Sequence, residues 1–338
     1  MAGFVDLYSG AGGTALGFVR AGYYHVDSFE IDKNAKKTYS SNIPNSDDTP
    51  VSVNEFNPDN IDDPGNTVLI GCPPCQGFTV LKWNVVDDRN KQTIVFAKKA
   101  VHSRARVIFF ENVPNIQHYD EFRYLVNVLR RWGYKPSWRI LNAVDYGVPQ
   151  NRNRLILLAV KNRKIIISDA SQDELESTVS SGLSAFTTVR QAIENLMDIE
   201  PNSNRGPPNH CTTEHGASVM KRIKMIPKNG GRQRDLPTSM VYKCHKKDNR
   251  GYNDVLGRMK WDCPSPTITS GCTNATKGRF IHPIKNRAIT VREAARLQSF
   301  PDNFIFNGPL YPMSTQVGNA VPPVLVYIIA NRLWDFLN

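Results

Sequence analysis

Thr67-Val68-Leu69-Ile70-Gly71-Cys72-Pro73-Pro74-Cys75-Gln76-Gly77-Phe78 is the stretch on which the reading of this chain turns. Its first four residues form a short apolar run of the kind that a buried parallel strand needs. Two prolines stiffen the turn that follows, so Cys75 stands just past the carboxyl end of a strand, where open α/β sheets place their chemistry. An unperturbed thiol is mostly protonated at neutral pH and attacks weakly. A rigid turn that holds its sulfur in line with a substrate atom is what a covalent mechanism requires. The plainer reading of a cysteine in such a loop is a small buried packing residue. The other motifs of the chain decide between the two.

Outward from this stretch, the first 160 residues alternate short apolar runs with helical patterns, which predicts a doubly wound, mostly parallel α/β sheet of Rossmann-like type. Strands are expected near 3–8, 25–30, 67–71, 106–111 and 153–160, and helices near 14–22, 32–41, 90–104 and 117–132. From about 163 to 255 the pattern weakens. A polar stretch, Ser168 to Ser184, precedes a helix expected at 188–197. A loop-rich basic segment follows, broken by Gly206-Pro207-Pro208, Asn229-Gly230-Gly231 and Leu236-Pro237. Helical spacing returns at Thr290–Gln298, and a last helix at 322–337 is too apolar to stand free and should dock on the first unit. The expected division is a catalytic and cofactor-binding domain at 1–165 plus 308–338, with a smaller inserted domain at 166–307.

The chain has 338 residues, 40% of them hydrophobic, which suffices for a large core. No apolar run approaches the ~18 residues of a membrane span. Met1-Ala2-Gly3-Phe4-Val5-Asp6 has no basic region ahead of its apolar run, so no signal peptide is expected. Six cysteines are too sparse for a disulfide scaffold and fit a reducing cytoplasm. The formal net charge of +11 is concentrated: residues 201–260 hold 13 Lys and Arg against four acids. Such a segment suits a polyanion such as nucleic acid, the plainer reading being a solvated basic surface.

Asp6-Leu7-Tyr8-Ser9-Gly10-Ala11-Gly12-Gly13 follows a strand and opens a helix, so its glycines let backbone approach a ligand at a helix N-terminus. It lacks the Gly-Lys-Ser/Thr ending of a phosphate-binding P-loop. Glu30, at the tip of the second strand and followed by Ile31, suits a ribose hydroxyl. Together these fit an adenosine-containing cofactor, NAD or S-adenosylmethionine, unless Glu30 merely caps the helix that begins near Asp32. Glu111-Asn112-Val113-Pro114 ends another apolar strand, which puts a carboxyl on the same sheet edge as Cys75. In an apolar site its pKa would rise, fitting it to donate a proton. In Gln150-Asn151-Arg152-Asn153-Arg154 the two arginines share one face of a strand and suit phosphate or carbonyl recognition.

In this order the motifs resemble the DNA (cytosine-5)-methyltransferase family of the bacterial and archaeal restriction-modification type. The match extends through Gly257-Arg258, Pro264-Ser265-Pro266-Thr267-Ile268-Thr269, Arg292-Glu293-Ala294-Ala295-Arg296-Leu297-Gln298-Ser299-Phe300-Pro301 and Gln316-Val317-Gly318-Asn319-Ala320-Val321-Pro322-Pro323. It covers residues 3–160 and 250–338, with a variable target-recognition region, about 168–250, between them. The resemblance implies an S-adenosylmethionine-dependent methyltransferase fold and a covalent reaction. Cys75 adds to cytosine C6 while Glu111 protonates or hydrogen-bonds N3. C5 then takes the methyl group, a base removes the C5 proton and the thiol is eliminated. Arg152 and Arg154 would grip the cytosine O2 and the adjacent phosphate and help keep Cys75 anionic. A base inside a duplex cannot reach such a site, so the target must be flipped out.

For the cofactor, the resemblance places Tyr8, where the family usually has Phe, beside the adenine, Gly10 and Gly12 near the methionine end, and Glu30 at the ribose. Asn319 approaches from the last motif, and Asp6, Ser9, Gly13, Ile31, Pro74 and Ala320 complete the set. The usual adenine-binding Asp-Ile pair has no clear counterpart, and Glu55-Phe56 is the nearest by spacing. Pro73, Gln76, Asn112, Gln150, Arg232, Arg234 and Arg258 are the expected substrate contacts. The partner is duplex DNA, lying in the cleft of a monomer, with a cognate restriction endonuclease acting on the same site in a prokaryotic or viral setting.

A tRNA cytosine-5 methyltransferase shares nearly all of these motifs, but its Cys-Phe-Thr mark is missing here, and Gly230-Gly231-Arg232-Gln233-Arg234-Asp235-Leu236-Pro237 favours DNA. A silent nucleic-acid-binding regulator would typically have lost Cys75 or Glu111. An amino-methyltransferase would need an Asp/Asn-Pro-Pro-aromatic motif, which is absent. Cys72 and Cys75 with Cys211, His215, Cys244 and His245 make a poor zinc set, because the last two are adjacent. Cys72 reads as a buried filler and Trp261 as a core residue. Met220–Met225 reads equally as a helix lying on DNA or as a plain surface helix.

Overall fold

Three strands are buried along their whole length: β1 (Gly3–Leu7), β3 (Thr67–Gly71) and β4 (Val107–Asn112), mostly apolar but carrying Asp6 in β1 and Glu111 and Asn112 at the end of β4. The computed structural model describes residues 1–75, 88–203, 205–242 and 254–337. Gln76 and the basic residues Lys243, Lys246, Lys247 and Arg250 lie outside the described residues, as do Cys244 and His245.

The sheet order is β2-β1-β3-β4-β6-β5, with β2 (Tyr24–Phe29), β5 (Tyr134–Asn142) and β6 (Asn153–Lys161) completing six strands. Pairings among β1 to β4 are parallel, whereas β6 runs antiparallel to both β4 and β5. Strand alternation sorts side chains to two faces. Phe4, Val68, Ile70, Val107 and Phe109 join one core with helices α1 (Gly13–Arg20) and α10 (Pro323–Leu333). Val5, Leu7, Leu69, Ile108 and Phe110 join another with α3 (Lys91–His102) and α4 (Asp120–Arg131). In α4 the buried residues are Phe122, Leu125, Val126 and Leu129, the spacing of one helical face. Helix α2 (Lys33–Asn42) follows β2 and is capped by Asp32, whose carboxylate accepts from Ala35 N at 2.8 Å.

Three elements were not expected: β5, a helix within the polar stretch after 168, and a helix at Leu310–Asn319. Strand β5 buries only Tyr134 and Leu141 and carries Pro136, so it has no apolar run to betray it; it lies at the sheet edge, where proline is tolerated. The polar stretch after 168 holds α5 (Gln172–Ser180), opened by a capping box between Ser171 and Glu174. Glu174 also receives two 2.6 Å bonds from Arg332 of α10, tying this polar helix down.

The last helix docks as expected. Tyr23 donates to Ala330 O at 3.0 Å and Trp334 Nε1 to Ala21 O at 2.9 Å. Side chains of α6 (Val189–Ile193), α8 (Val291–Leu297) and the segment Met259 to Phe306, Trp261 among them, share the α1/α10 core. A smaller cluster stands apart: Ile223 of α7 (Ala217–Met225) with Ile226, Leu236, Leu256, Ala275, Ile281 and Ala288. Only Ile223 is buried in α7, which leaves Lys221 and Lys224 on the surface. Among the described residues no single helix is long and apolar enough to cross a membrane.

Helix α9 (Leu310–Asn319) presses its backbone onto the chain at 269–270: a Cβ on Gly318 would lie 2.3 Å from Thr269 C and 2.4 Å from Ser270 N. Neither obstacle is the flexible end of a side chain. Gly318→Ala should therefore cost at least ~2 kcal/mol in urea unfolding, whereas Gly10→Ala, with nothing within 4 Å of its Cβ position, should show only the smaller cost of its positive φ.

Candidate active site

The parallel strands end on one edge of the sheet, and the chain runs from β1 to β2 on one side and then crosses back to β3 on the other side of β1. That reversal opens a crevice at the carboxyl ends of β1 and β3. Cys75 follows β3 through the Pro73-Pro74 turn, and Glu111 is the penultimate residue of β4. Because β6 runs antiparallel to β4, its first residues arrive at the same edge: Asn112 lies opposite Leu155 and Glu111 opposite Ile156. Arg154 Nε thus meets Glu111 Oε1 at 2.8 Å, both side chains being largely buried. Asn112 Nδ2 donates to Pro73 O at 3.1 Å, fixing the turn that carries Cys75 to the end of β4.

Burial pushes the Glu111 carboxyl above the usual carboxylate range, with Arg154 and Arg152 pulling the other way. A neutral, proton-donating Glu111 is therefore accessible. Burial also pushes the Cys75 thiol up, the Glu111 charge adds to this, and Arg154 and Arg152 oppose it. The expectation that the arginines keep Cys75 anionic is corrected in part: they favour the thiolate, but burial and Glu111 outweigh them in the ligand-free protein.

Arg152 is corrected more fully. Its guanidinium is buried and donates to Ile268 O at 2.8 Å, Gly318 O at 3.0 Å and Ala320 O at 2.9 Å, so both terminal nitrogens are spent on backbone and only Nε lacks a partner. Gln150, expected on substrate, is buried with its amide between Ile268 N, Leu297 O and Gln298 Oε1. Arg258, also expected on substrate, is buried and donates to Ile223 O, Ile226 O, His282 O, Lys285 O and Asn286 Oδ1. Its fork pins α7 to the 282–286 turn and leaves nothing for DNA. By contrast, Arg234 is exposed and Arg232 half-buried.

At the other end of the crevice, the turn after β1 is left-handed at Tyr8, Gly10 and Gly12, with φ of 60°, 53° and 95°. Gly10 N donates to Glu30 Oε2 at 2.9 Å, while Glu30 Oε1 accepts from Ile31 N and Asp32 N. Asp32, not Glu30, caps α2, so the carboxyl of Glu30 is free to brace the glycine turn. Gly13 allows the Ala320–Val321 backbone close, since a Cβ there would meet Val321 O at 2.5 Å. Asn319 is exposed and accepts from Ser270 Oγ at 3.2 Å. Tyr8 donates to Gln92 at the start of α3. Ser9 Oγ is buried without a hydrogen-bond partner, Ile31 is exposed, and open space faces Gly10. These features fit an adenosine group with a carboxylate-bound ribose.

Glu55 and Phe56 do not belong to this surface. Glu55 closes a capping box on Ser52, and Phe56 is buried edge-on to Phe29. The segment beside Glu30 is Val51-Ser52, because Val51 N donates to Glu30 O at 2.9 Å. Sequence spacing missed it, since no acid marks it. Cys72 packs against the core with its sulfur 3.6 Å from Thr14 Oγ1, as a filler would. Among the described residues no three His, Cys, Asp or Glu side chains gather as a metal site would require.

The family model for C-5 cytosine-specific DNA methylase matches residues 2–335. Among curated proteins, the Type II methyltransferase M1.HphI of Haemophilus parahaemolyticus is 31% identical over 98% of this chain and 86% of its own length. Type II methyltransferase M.Eco47II of Escherichia coli is 33% identical over 99% of this chain and 79% of its own length. Among solved structures, a prophage-encoded E. coli protein assigned as a DNA modification methyltransferase superposes with a TM-score of 0.74 at 25% identity, each chain covered completely. The S. pombe Dnmt2 methyltransferase gives 0.67 at 19% identity over 98% of both chains, a likeness of fold alone.

Two outcomes follow from the electrostatics. Removing the Glu111 charge lowers the Cys75 pKa, so Glu111→Gln should speed iodoacetamide alkylation of Cys75 at pH 8 and Arg154→Gln should slow it, read by peptide mass mapping because Cys263 is exposed. Asp6 is buried without a hydrogen bond of normal geometry, and burial, then the Glu30 charge, push its carboxyl to about 8. The folded protein thus holds a proton that the unfolded chain sheds near pH 4. Thermal stability should fall as pH rises from about 4 to 8, and Asp6→Asn should flatten that slope.

Proposed function

This chain belongs to the C-5 cytosine-specific DNA methylase family, and from that membership we propose a covalent methyl transfer to a cytosine turned out of duplex DNA, with Cys75 as nucleophile and Glu111 as proton donor. The observation that carries this reading is the convergence of the two on one sheet edge, with Arg154 holding Glu111 at 2.8 Å. The Tyr8–Gly13 turn, Glu30, Ile31, Pro74 and Asn319 would hold S-adenosylmethionine, which would supply an electrophilic methyl group.

Cys75 gives its proton to solvent as its sulfur bonds to cytosine C6 and opens the C5=C6 double bond. Glu111 gives its raised-pKa proton to N3, which draws the ring electrons and makes attack at C6 easier. Arg154 orients that carboxyl and is the arginine left to meet the base or its phosphate, since Arg152 is engaged by backbone. Once C5 carries the methyl group, a base takes the C5 proton, the C6–S bond breaks to release the Cys75 thiolate, and N3 returns its proton to Glu111, which restores the aromatic ring. Pro73 and Asn112 hold the turn in place while this happens.

For the wider role, we propose the modification half of a restriction-modification pair, because the curated relatives named above are Type II methyltransferases. The variable region from about 168 to 250, with Arg232 and Arg234 in its basic later part, would read a short duplex site, with the DNA in the cleft of a monomer. The covalent chemistry needs no residue from a second subunit.

Radiolabelled methyl transfer to mixed-sequence duplex DNA, with bulk tRNA in parallel, tests the reading, and bisulfite sequencing then locates the modified cytosine. Label on DNA at one short motif is the expected result; label on tRNA alone would overturn the DNA assignment. Cys75→Ala should lose at least ~10⁴-fold in turnover while binding the cofactor nearly as well as wild type. DNA affinity should fall at least tenfold between 50 and 200 mM salt, since each phosphate contact releases counterions.

A further inference from the structure

Five groups behind the reacting residues close into one hydrogen-bonded ring. Gln150 Oε1 accepts from Ile268 N at 2.8 Å, and Arg152 Nη1 donates to Ile268 O at 2.8 Å. Arg152 Nη2 donates to Ala320 O at 2.9 Å, and Gln298 Nε2 donates to the same oxygen at 3.4 Å and to Val317 O at 2.7 Å. Gln150 Nε2 donates to Gln298 Oε1 at 2.8 Å and closes the circuit. The side chains of Gln150, Arg152 and Gln298 are all buried. No reacting group belongs to the ring except through Arg152, whose charge reaches both Cys75 and Glu111.

Four separate stretches of chain meet there: the lead into β6, the extended segment 264–268, the end of α8 and the end of α9. The first two already run side by side, with Asn151 N donating to Ser265 O and Ser265 N to Pro149 O. The ring adds the other two. Its positions then govern their neighbours. Arg154, the partner of Glu111, lies two residues beyond Arg152. Ser270, two residues beyond Ile268, meets Asn319 beside Ala320.

We infer that Gln298 is a positioning residue for the methyl transfer, acting through Gln150 and Arg152; the inference rests on the reaction proposed above. Only an amide can fill its place, because the position must donate to two carbonyls and accept from a side-chain N–H at once. Leucine has the size and does neither. Yet each group that Gln298→Leu deserts keeps another partner: Val317 O accepts from Ala320 N, Ala320 O from Arg152, and Gln150 Nε2 still reaches Leu297 O. The variant therefore folds and loses the alignment, not a buried polar group's only bond.

The test uses full-length Gln298→Leu and, as a second apolar variant, Gln298→Met, with cofactor and a duplex carrying 5-fluorocytosine at the target position. Fluorine cannot leave as a proton, so the Cys75 adduct persists and its rate of formation is read directly on a denaturing gel. Both variants should form adduct about 10–100-fold more slowly than wild type, the scale set by sub-ångström misplacement of reacting groups, while KM for DNA changes less than about threefold and the urea midpoint holds. An adduct rate equal to wild type, a loss confined to KM, or a loss that follows the fraction unfolded would overturn the inference. Wild-type protein that forms no adduct would overturn the reaction itself, and the inference with it.

Discussion

The antiparallel pairing of β6 with β4 brings both arginines of this site to Glu111. A parallel strand there would bring its carboxyl end to the crevice and carry its leading residues to the far side of the sheet. The reversed strand delivers its amino end, with Gln150, Arg152 and Arg154, beside the carboxyl end of β4 and so beside Glu111. The register does the rest: with Glu111 opposite Ile156 and Asn112 opposite Leu155, Arg154 falls next in line to reach the carboxyl. Shifting the pairing by one residue would turn Arg154 to the opposite face.

The legible part of the fold was the part made by burial on both faces. β1, β3, β4 and β6 are near-continuous apolar runs, and Cys75, Glu111 and Arg154 could be found because each stands where such a run meets a turn. β5 and α5 escaped because their stability comes from elsewhere, an edge ladder in one case and a capping box with an Arg332 clamp in the other. The site residues misassigned from sequence share a cause. Gln150, Arg152 and Arg258 carry donors that could serve a substrate or a backbone carbonyl equally well, and residue type does not distinguish the two. Glu55 failed for the same reason at a helix cap, where a carboxylate has its own local work.

Backbone carbonyls recur as the partners of buried arginines here. Arg152 and Arg258 each spread their nitrogens over several carbonyl oxygens instead of a single carboxylate, and Arg292 does the same, with the Asp302 carboxylate only at 4.0 Å. A carbonyl carries only a dipole, so such an arginine satisfies its hydrogen bonds without neutralising its charge. In the basic segment this knits loops that have few apolar side chains to pack. At the active site it has an electrostatic result as well.

Arg152 brings a full positive charge into the protein, and its own ring supplies no anion against it. Burial and the neighbouring Arg154 accordingly depress its pKa. Arg154 is balanced by Glu111 only while that carboxyl is ionised, and burial works against ionisation. Once Glu111 holds its proton, as it must before donating to cytosine N3, the site has two guanidinium groups and no protein carboxylate between them. That is the state in which a thiolate at Cys75 is least costly, because the anion that raised its pKa has gone and the two cations that lower it remain. Protonation of the acid and ionisation of the nucleophile therefore favour each other, so the proton and the sulfur become ready in the same microstate. The carbonyl ring leaves the Arg152 charge uncancelled, so that charge still lowers the cost of the thiolate; a carboxylate in its place would remove that contribution.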